Sequence, residues 1–290
     1  MATTTTLSNP RRRRVWVNRV AIAGLALGAV IALIPLVGVL VYTIGKGLSS
    51  INGDFLTTTM RGVGPLDTTG GIYHSIVGTI EQVLIASLIS VPLGIIAAVY
   101  VVEYGRGRLA AAVRFLIDVM TGIPSIVAGL FIFAFWVLAL HRGFSGFAAG
   151  MSLAVLMLPV VARASEEMLK LVPDELREAS YALGVPKWRT VLSVVLPVAS
   201  AGITTGVVLA VARVTGETAP LLLTAFGFDS INYNPLSGPQ SALPLFVYQQ
   251  ATSAFKVAVD RAWGAALVLI VFVVVLSVIA RLLTRRNRLV

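Results

Sequence analysis

VAIAGLALGAVIALIPLVGVLVY, residues Val20 to Tyr42, contains no charged side chain and shows no alternation of polar and apolar positions. At about 1.5 Å of helical rise per residue, a run of this length crosses the ~30 Å hydrocarbon layer of a bilayer. A membrane β-barrel would instead read as segments of roughly ten residues with alternating polarity. The stretch predicts a membrane-spanning helix. Arg11–Arg14 and Arg19 precede it as they would precede a secretory signal, but the run far exceeds the roughly 7–15 apolar residues of a signal peptide. An uncleaved first helix, 15–44, is expected, after a polar tail at 1–14 read as disordered.

Composition extends this reading along the chain. Of 290 residues, 57% are hydrophobic and 12% charged, against about 45–50% and about 25% in soluble domains. Further apolar runs near Ser75–Tyr100, Val113–Leu140, Phe147–Val161, Ala199–Phe226 and Trp263–Leu283 bring the expected spans to six. The predicted fold class is an all-α polytopic membrane protein.

The net charge of +10 does not indicate nucleic acid, because the basic residues sit at the ends of apolar runs and not on one polar face. With the N-terminus inside, Lys and Arg divide seventeen to five between inner and outer segments. By the positive-inside rule both termini are expected in the cytoplasm. Arg213 belongs to neither side. There is no cysteine, so thiolate metal sites and disulfides are excluded, and two histidines, His74 and His141, argue against a histidine-rich metal site.

Between the fourth and fifth spans lies RASEEMLKLVPDELREASYALGVPKWRTVLSVVLP, residues 163–197. Val172, Leu176, Ala179 and Leu183 recur at spacings of four, three and four, which puts them on one face of a short helix. Pro173 and Asp174 suit its start, Gly184 the left-handed position after its end, and Pro186 the first turn of a second helix. The apolar stripe needs a surface to cover it, either the membrane interface or a groove on a partner.

The same residues resemble the EAA signature of ABC importer permeases. Glu178, Ala179 and Ser180 are followed after three residues by Gly184, and after nine more by Val194, one residue and Leu196–Pro197. Ser180 replaces the third residue of the signature and Val194 an isoleucine. The resemblance implies the type I importer permease fold and a coupling helix that fits a cleft on an ATPase subunit, with Glu178, Ala179, Ser180 and Gly184 at the contact. Glycine permits the reversal, and small residues at 179, 180 and 182 allow close approach. No G-x-x-x-x-G-K-[ST] pattern occurs in the chain, so ATP and Mg²⁺ are expected to be handled by the partner.

Arg213 and Glu217 stand in AVARVTGETAPLLLTA, residues 210–225, where a charge costs about 2.5–3.5 kcal/mol at a helix centre. They could neutralise each other across a turn, although base before acid is the poorer i,i+4 order. Facing a pathway, Arg213 offers a guanidinium fork suited to an oxyanion, with Glu217 holding it when the site is empty. Near the spans, Asp118 is expected to pair with Arg114, and Glu81 either packs or lines a pathway.

GETAPLL after Arg213, together with TGIPSIVAGLF at 121–131 and the loop itself, is similar to phosphate permeases of the PstA type over roughly residues 72–284. That likeness implies phosphate import across the bacterial cytoplasmic membrane. The implied partners are a second, PstC-like permease subunit, a pair of PstB-like ATPase subunits and an external PstS-like phosphate-binding protein. It also assigns Arg163 to transport, where the bland reading is a positive-inside anchor. The expected layout is an external loop at 45–72, a permease core at 73–284 with the coupling loop at 163–190, and a short tail at 285–290. Permeases for molybdate or sulfate share the architecture, and a gradient-driven transporter would lack the ATPase-docking loop.

Overall fold

The computed structural model describes residues 10–64 and 66–286, and every regular element among them is helical. Residues up to Lys46 and residues from Gly47 onward form separate compact units. The described part of the first is α1 (Pro10–Gly47) short of its last residue; α1 is a single helix of 38 residues with Pro35 inside it. Its start at Pro10 makes residues 10–14 of the expected tail helical, while residues 1–9 lie outside the described residues.

The second unit opens with α2 (Gly53–Thr57) and α3 (Tyr73–Val99), which continues into a π-helical turn, π1 (Tyr100–Tyr104). Then come α4 (Arg108–Thr121), α5 (Ser125–Ile132) with π2 (Phe133–Ala139), and α6 (Gly146–Lys170). The loop contributes α7 (Asp174–Ala182) and α8 (Lys187–Thr190), leading through π3 (Val191–Val195) into α9 (Leu196–Thr215). The chain ends with α10 (Ala219–Thr224), α11 (Leu243–Ala251) and α12 (Lys256–Arg286); of the expected tail, 287–290 lie outside the described residues.

Among the described residues, five helical segments are long and apolar enough to cross a membrane: Arg13–Gly47, Tyr73–Tyr104, Gly146–Lys170, Lys187–Thr215 and Lys256–Ile279. The expected third span, 113–140, is not one straight helix. It is the pair Arg108–Thr121 and Ser125–Ala139, bent by 107°, because Pro124 lacks an N–H and keeps Ile123 before it out of the helical region. The fourth span is longer than expected. Ser145 caps its start, accepting from the Ala148 N–H at 3.1 Å, and the helix continues through charged residues to Lys170.

The core lies where α3, α6 and α9 meet, around Val83, Ala86, Leu153, Met157, Val161, Ala210 and Val214. Glycines let these helices approach closely, as expected where lipid supplies no hydrophobic drive and van der Waals packing must. Gly94 lies against Val161 and Gly150 against Ile85. Gly202 and Gly206 of α9 sit under Met168 and Ala164 of α6.

The segment between α10 and α11 is irregular but tied down. It turns at Phe226, whose φ of 69° is rare for a bulky residue, and the ring stacks on Phe144 at 4.6 Å between centroids. The Gln240 side chain donates to Glu81 and to the Asn232 carbonyl (3.0 Å), and accepts from Gln82 (3.0 Å). Ser241 pairs with Ser75 at 2.9 Å, and the Leu243 N–H donates to Thr79 at 2.8 Å. Glu81 thus packs the segment onto α3. The short helix expected in this stretch is α11.

A Cβ at Gly78 would meet the Ser241 carbonyl, whereas one at Gly53 meets open space. Gly78→Ala should therefore cost about 1–3 kcal/mol, read as a lower temperature for loss of monodispersity in detergent. Gly53→Ala should leave that temperature unchanged.

Candidate functional site

The expected fifth span, 199–226, breaks at the charged pair. α9 stops at Thr215, the N–H groups of Gly216 and Glu217 bond the carbonyls of Arg213 and Val214 (3.1 and 3.2 Å), and the chain restarts as α10 with Pro220 in its first turn. Glycine ends the helix and proline cannot continue it. Arg213 consequently sits in the last turn of a helix, where the unpaired carbonyls favour a cation. Glu217 lies beyond the helix end and is no i,i+4 partner within one helix. Its Oε1 is 3.9 Å from the Arg213 Nε, a Coulombic contact too long for a hydrogen bond.

Val214 fixes the depth, since it packs with Val83 and Leu153 in the core. Leu153 is seven residues into α6, about 10 Å from its start. The Arg213 side chain is 63% exposed and that of Glu217 20%. A charge at that depth must face protein or a watered cavity, not lipid. The face that carries Arg213 also carries exposed Leu209, one turn earlier.

Arg163 is elsewhere and differently engaged. Gly206, seven residues before Arg213, lies against Ala164, which sets the two arginines about 10 Å apart along the helices. Arg163 pairs with Asp118 of α4 and with Glu166, at 2.7 Å. Lys170 and Arg114 approach the same Glu166 at 2.9 and 3.7 Å. The expected Arg114–Asp118 pair does not form, because α4 lies against α6 and the cross-helix partners win. Glu166 is the hub, its side chain only 3% exposed.

The loop folds as its residues predict. Pro173 precedes α7, Gly184 takes a left-handed φ of 75° after its end, and Pro186 precedes α8. Of the expected stripe, Leu176, Ala179 and Leu183 are exposed, Leu183 at 84%, with Glu178 exposed beside them, whereas Val172 lies before α7 and is buried in the core cluster with Leu169 and Val195. Ser180, expected at the partner contact, points inward and its hydroxyl pairs with Thr190 at 2.8 Å. That bond closes the α7–α8 reversal.

Sequence reasoning missed what holds α7 to the bundle. The Arg177 guanidinium donates to Glu103 Oε1 from Nε and Nη2 (3.1 and 2.8 Å), to the carbonyls of Val172 (2.6 Å) and Leu169 (3.0 Å), and to Asp174 (3.0 Å). Burial works to discharge this guanidinium, but the hydrogen bond and charge of Glu103 outweigh it and hold its pKa above the ordinary arginine value. Glu103 belongs to π1, 74 residues away, so no local pattern announces the pair. Among the described residues no group of three His, Cys, Asp or Glu could hold a metal.

Residues 90–289 match the family described as binding-protein-dependent transport system inner membrane component. The chain is 46% identical, over 96% of its length and 92% of the relative, to the "Phosphate transport system permease protein PstA 1" of Mycobacterium tuberculosis. It is 38% identical, over 98% and 96%, to the "Phosphate transport system permease protein PstA" of Yersinia pestis. Its fold is shared with a chain of a bacterial alginate ABC transporter solved with a pentasaccharide-bound periplasmic protein (TM-score 0.67, 13% identity, 94% and 96% covered). It is also shared with a chain of the inward-facing MetNI methionine ABC transporter (TM-score 0.62, 18% identity, 82% and 99% covered).

Burial grades the ion pairs. Glu166→Gln leaves Arg163, Lys170 and Arg114 around a neutral amide and should destabilise the chain by about 3 kcal/mol. Asp118→Asn, at a side chain 57% exposed, should cost about 0.5 kcal/mol. Denaturant midpoints in detergent measure both.

Proposed function

This chain belongs to the family of binding-protein-dependent transport system inner membrane components, and from that premise we propose that it is a phosphate-translocating permease subunit of an ATP-driven importer in the bacterial cytoplasmic membrane. A PstC-like subunit completes the path, PstB-like ATPase subunits hydrolyse ATP with Mg²⁺, and a PstS-like protein delivers phosphate from outside. The names and near-complete coverage of the relatives support this assignment. The observation that carries the chemistry is Arg213, a charged fork left open where α9 breaks inside the apolar layer.

In that position the guanidinium takes two oxygens of an oxyanion in parallel hydrogen bonds, which a lysine ammonium cannot do with the same geometry. Glu217 holds the fork electrostatically when no anion is present. It also has a use when one is. Phosphate keeps at least one proton at neutral pH and can donate it to a carboxylate, whereas sulfate has none to give. A carboxylate beside the fork therefore opposes sulfate and tolerates phosphate, since an acceptor facing an acceptor leaves both unpaired.

At the other end, Glu178, Ala179 and the exposed leucines of α7 enter the ATPase cleft, and Gly184 makes the reversal behind them. Outward and inward arrangements of the path exchange when ATP binds one of them more tightly, and loaded binding protein biases the same equilibrium. Arg163 acts through the Glu166 network that joins α4 to α6 and is proposed to hold that end of the path in shape.

Arg213→Gln should abolish ATP-dependent phosphate uptake in vesicles while the ATPase still co-purifies; normal uptake would sink the anion role. Glu217→Gln should retain phosphate uptake in part and lose discrimination against sulfate by about tenfold, the size of one hydrogen bond, measured as inhibition of labelled phosphate uptake by sulfate.

A further inference from the structure

Arg177 joins three elements through one side chain. Its Nε and Nη2 hold Glu103 at the end of α3, while Nη2 and Nη1 hold the carbonyls of Leu169 and Val172 at the end of α6 and just beyond it. Its own backbone belongs to α7. Both charged side chains are withdrawn from solvent, Arg177 to 12% exposure and Glu103 to 4%. Removing either partner would leave the other charge buried and unpaired, which the fold tolerates badly.

The π1 turn is what aims Glu103 at α7. One residue more per turn rotates the side chains that follow by about 100°, and within π1 it is Val101 and Glu103 that are buried. Lys187, at the start of α8, sits over the ring of Tyr104 in the same turn, 5.0 Å from its centroid. Both helices of the reversal are thus fastened to one turn at the end of α3. From there α3 packs on α6, which packs on α9, the helix whose last turn holds Arg213.

We propose that the Glu103–Arg177 contact is the positioning linkage through which α7 and the inner end of α3 move as one body, carrying displacement of the docked helix to the span core around Arg213. The proposal rests on the reading of α7 as the ATPase-docking helix. Arg177 touches neither substrate nor nucleotide in this role. It acts by keeping the path rigid between them, because a fork bonded to carboxylate and carbonyls on two other elements cannot slide without losing all of its bonds together.

The test uses the purified permease–ATPase complex in vesicles with loaded binding protein, reading phosphate moved per ATP hydrolysed. Glu103→Gln and Arg177→Met should keep the ATPase bound and hydrolysing, while the ratio falls at least tenfold. Arg177→Lys should fall in between, and Glu103→Arg combined with Arg177→Glu should recover part of the loss. An unchanged ratio in Glu103→Gln with the ATPase bound overturns the linkage alone. Failure of the unaltered chain to hold an ATPase overturns the docking reading and the linkage with it. Because the chain has no cysteine, spin labels on Tyr181→Cys of α7, off the docking stripe, and Ile96→Cys of α3, both exposed positions, give a measurement that needs no weakened variant. With the pair intact their separation should stay constant between nucleotide-free and ATP-trapped complexes, and a change between those states overturns the proposal.

Discussion

No unpaired backbone group can face hydrocarbon, and this constraint decides where the chain is free to be irregular. The breaks occur against protein. Gly129, just after the corner at Pro124, lies so close to Pro220 that a Cβ there would come within 2.6 Å of the proline Cα, so the two interrupted helices cover each other. The long segment after α10 is paired through Gln240, Ser241 and Leu243 to α3. Relieved of the ladder at Gly216–Thr218, the chain can hold an arginine at a helix terminus inside the apolar layer. A continuous helix would have offered that cation no carbonyl ends.

The charges inside or beside the spans divide by what surrounds them. Glu166 and Glu103 are buried and shared among cations, which makes them structural commitments that fail sharply when one partner is removed. Asp118 is largely exposed and contributes little. Arg213 is the converse case, a cation at depth whose acidic partner among the described residues, Glu217, stands loosely at 3.9 Å. Chains spend insertion energy on an open charge where a ligand or another subunit completes it.

What the sequence made legible was local. Pro173, Asp174, Gly184 and Pro186 each act on their own backbone, and α7 and α8 begin and end within a residue of where those side chains require. The spans were visible because hydropathy sums over a window, but the same summing hid the breaks at Gly122–Pro124 and Gly216–Thr218, where the apolar residues simply continue. Glycine and proline were the available signal in both places. Contacts between elements had no such signal. Asp118 has an arginine four residues away and bonds a different one on α6, and Glu103 meets Arg177 across 74 residues. Of the residues expected at the site, Arg213 stands open, Arg163 is committed to an ion network, and Ser180 faces inward.

The corner between α4 and α5 has one more consequence. Each arm, Arg108–Thr121 and Ser125–Ala139, is about 20 Å long, shorter than a hydrocarbon layer of about 30 Å. A straight span answers a thicker or thinner bilayer by tilting, whereas a bent one can also open or close its angle. The arm that bears the angle is α5, whose Gly129 rests on Pro220 of the segment beyond Arg213. A change in the angle of that corner would therefore press directly on the segment beyond the charged break.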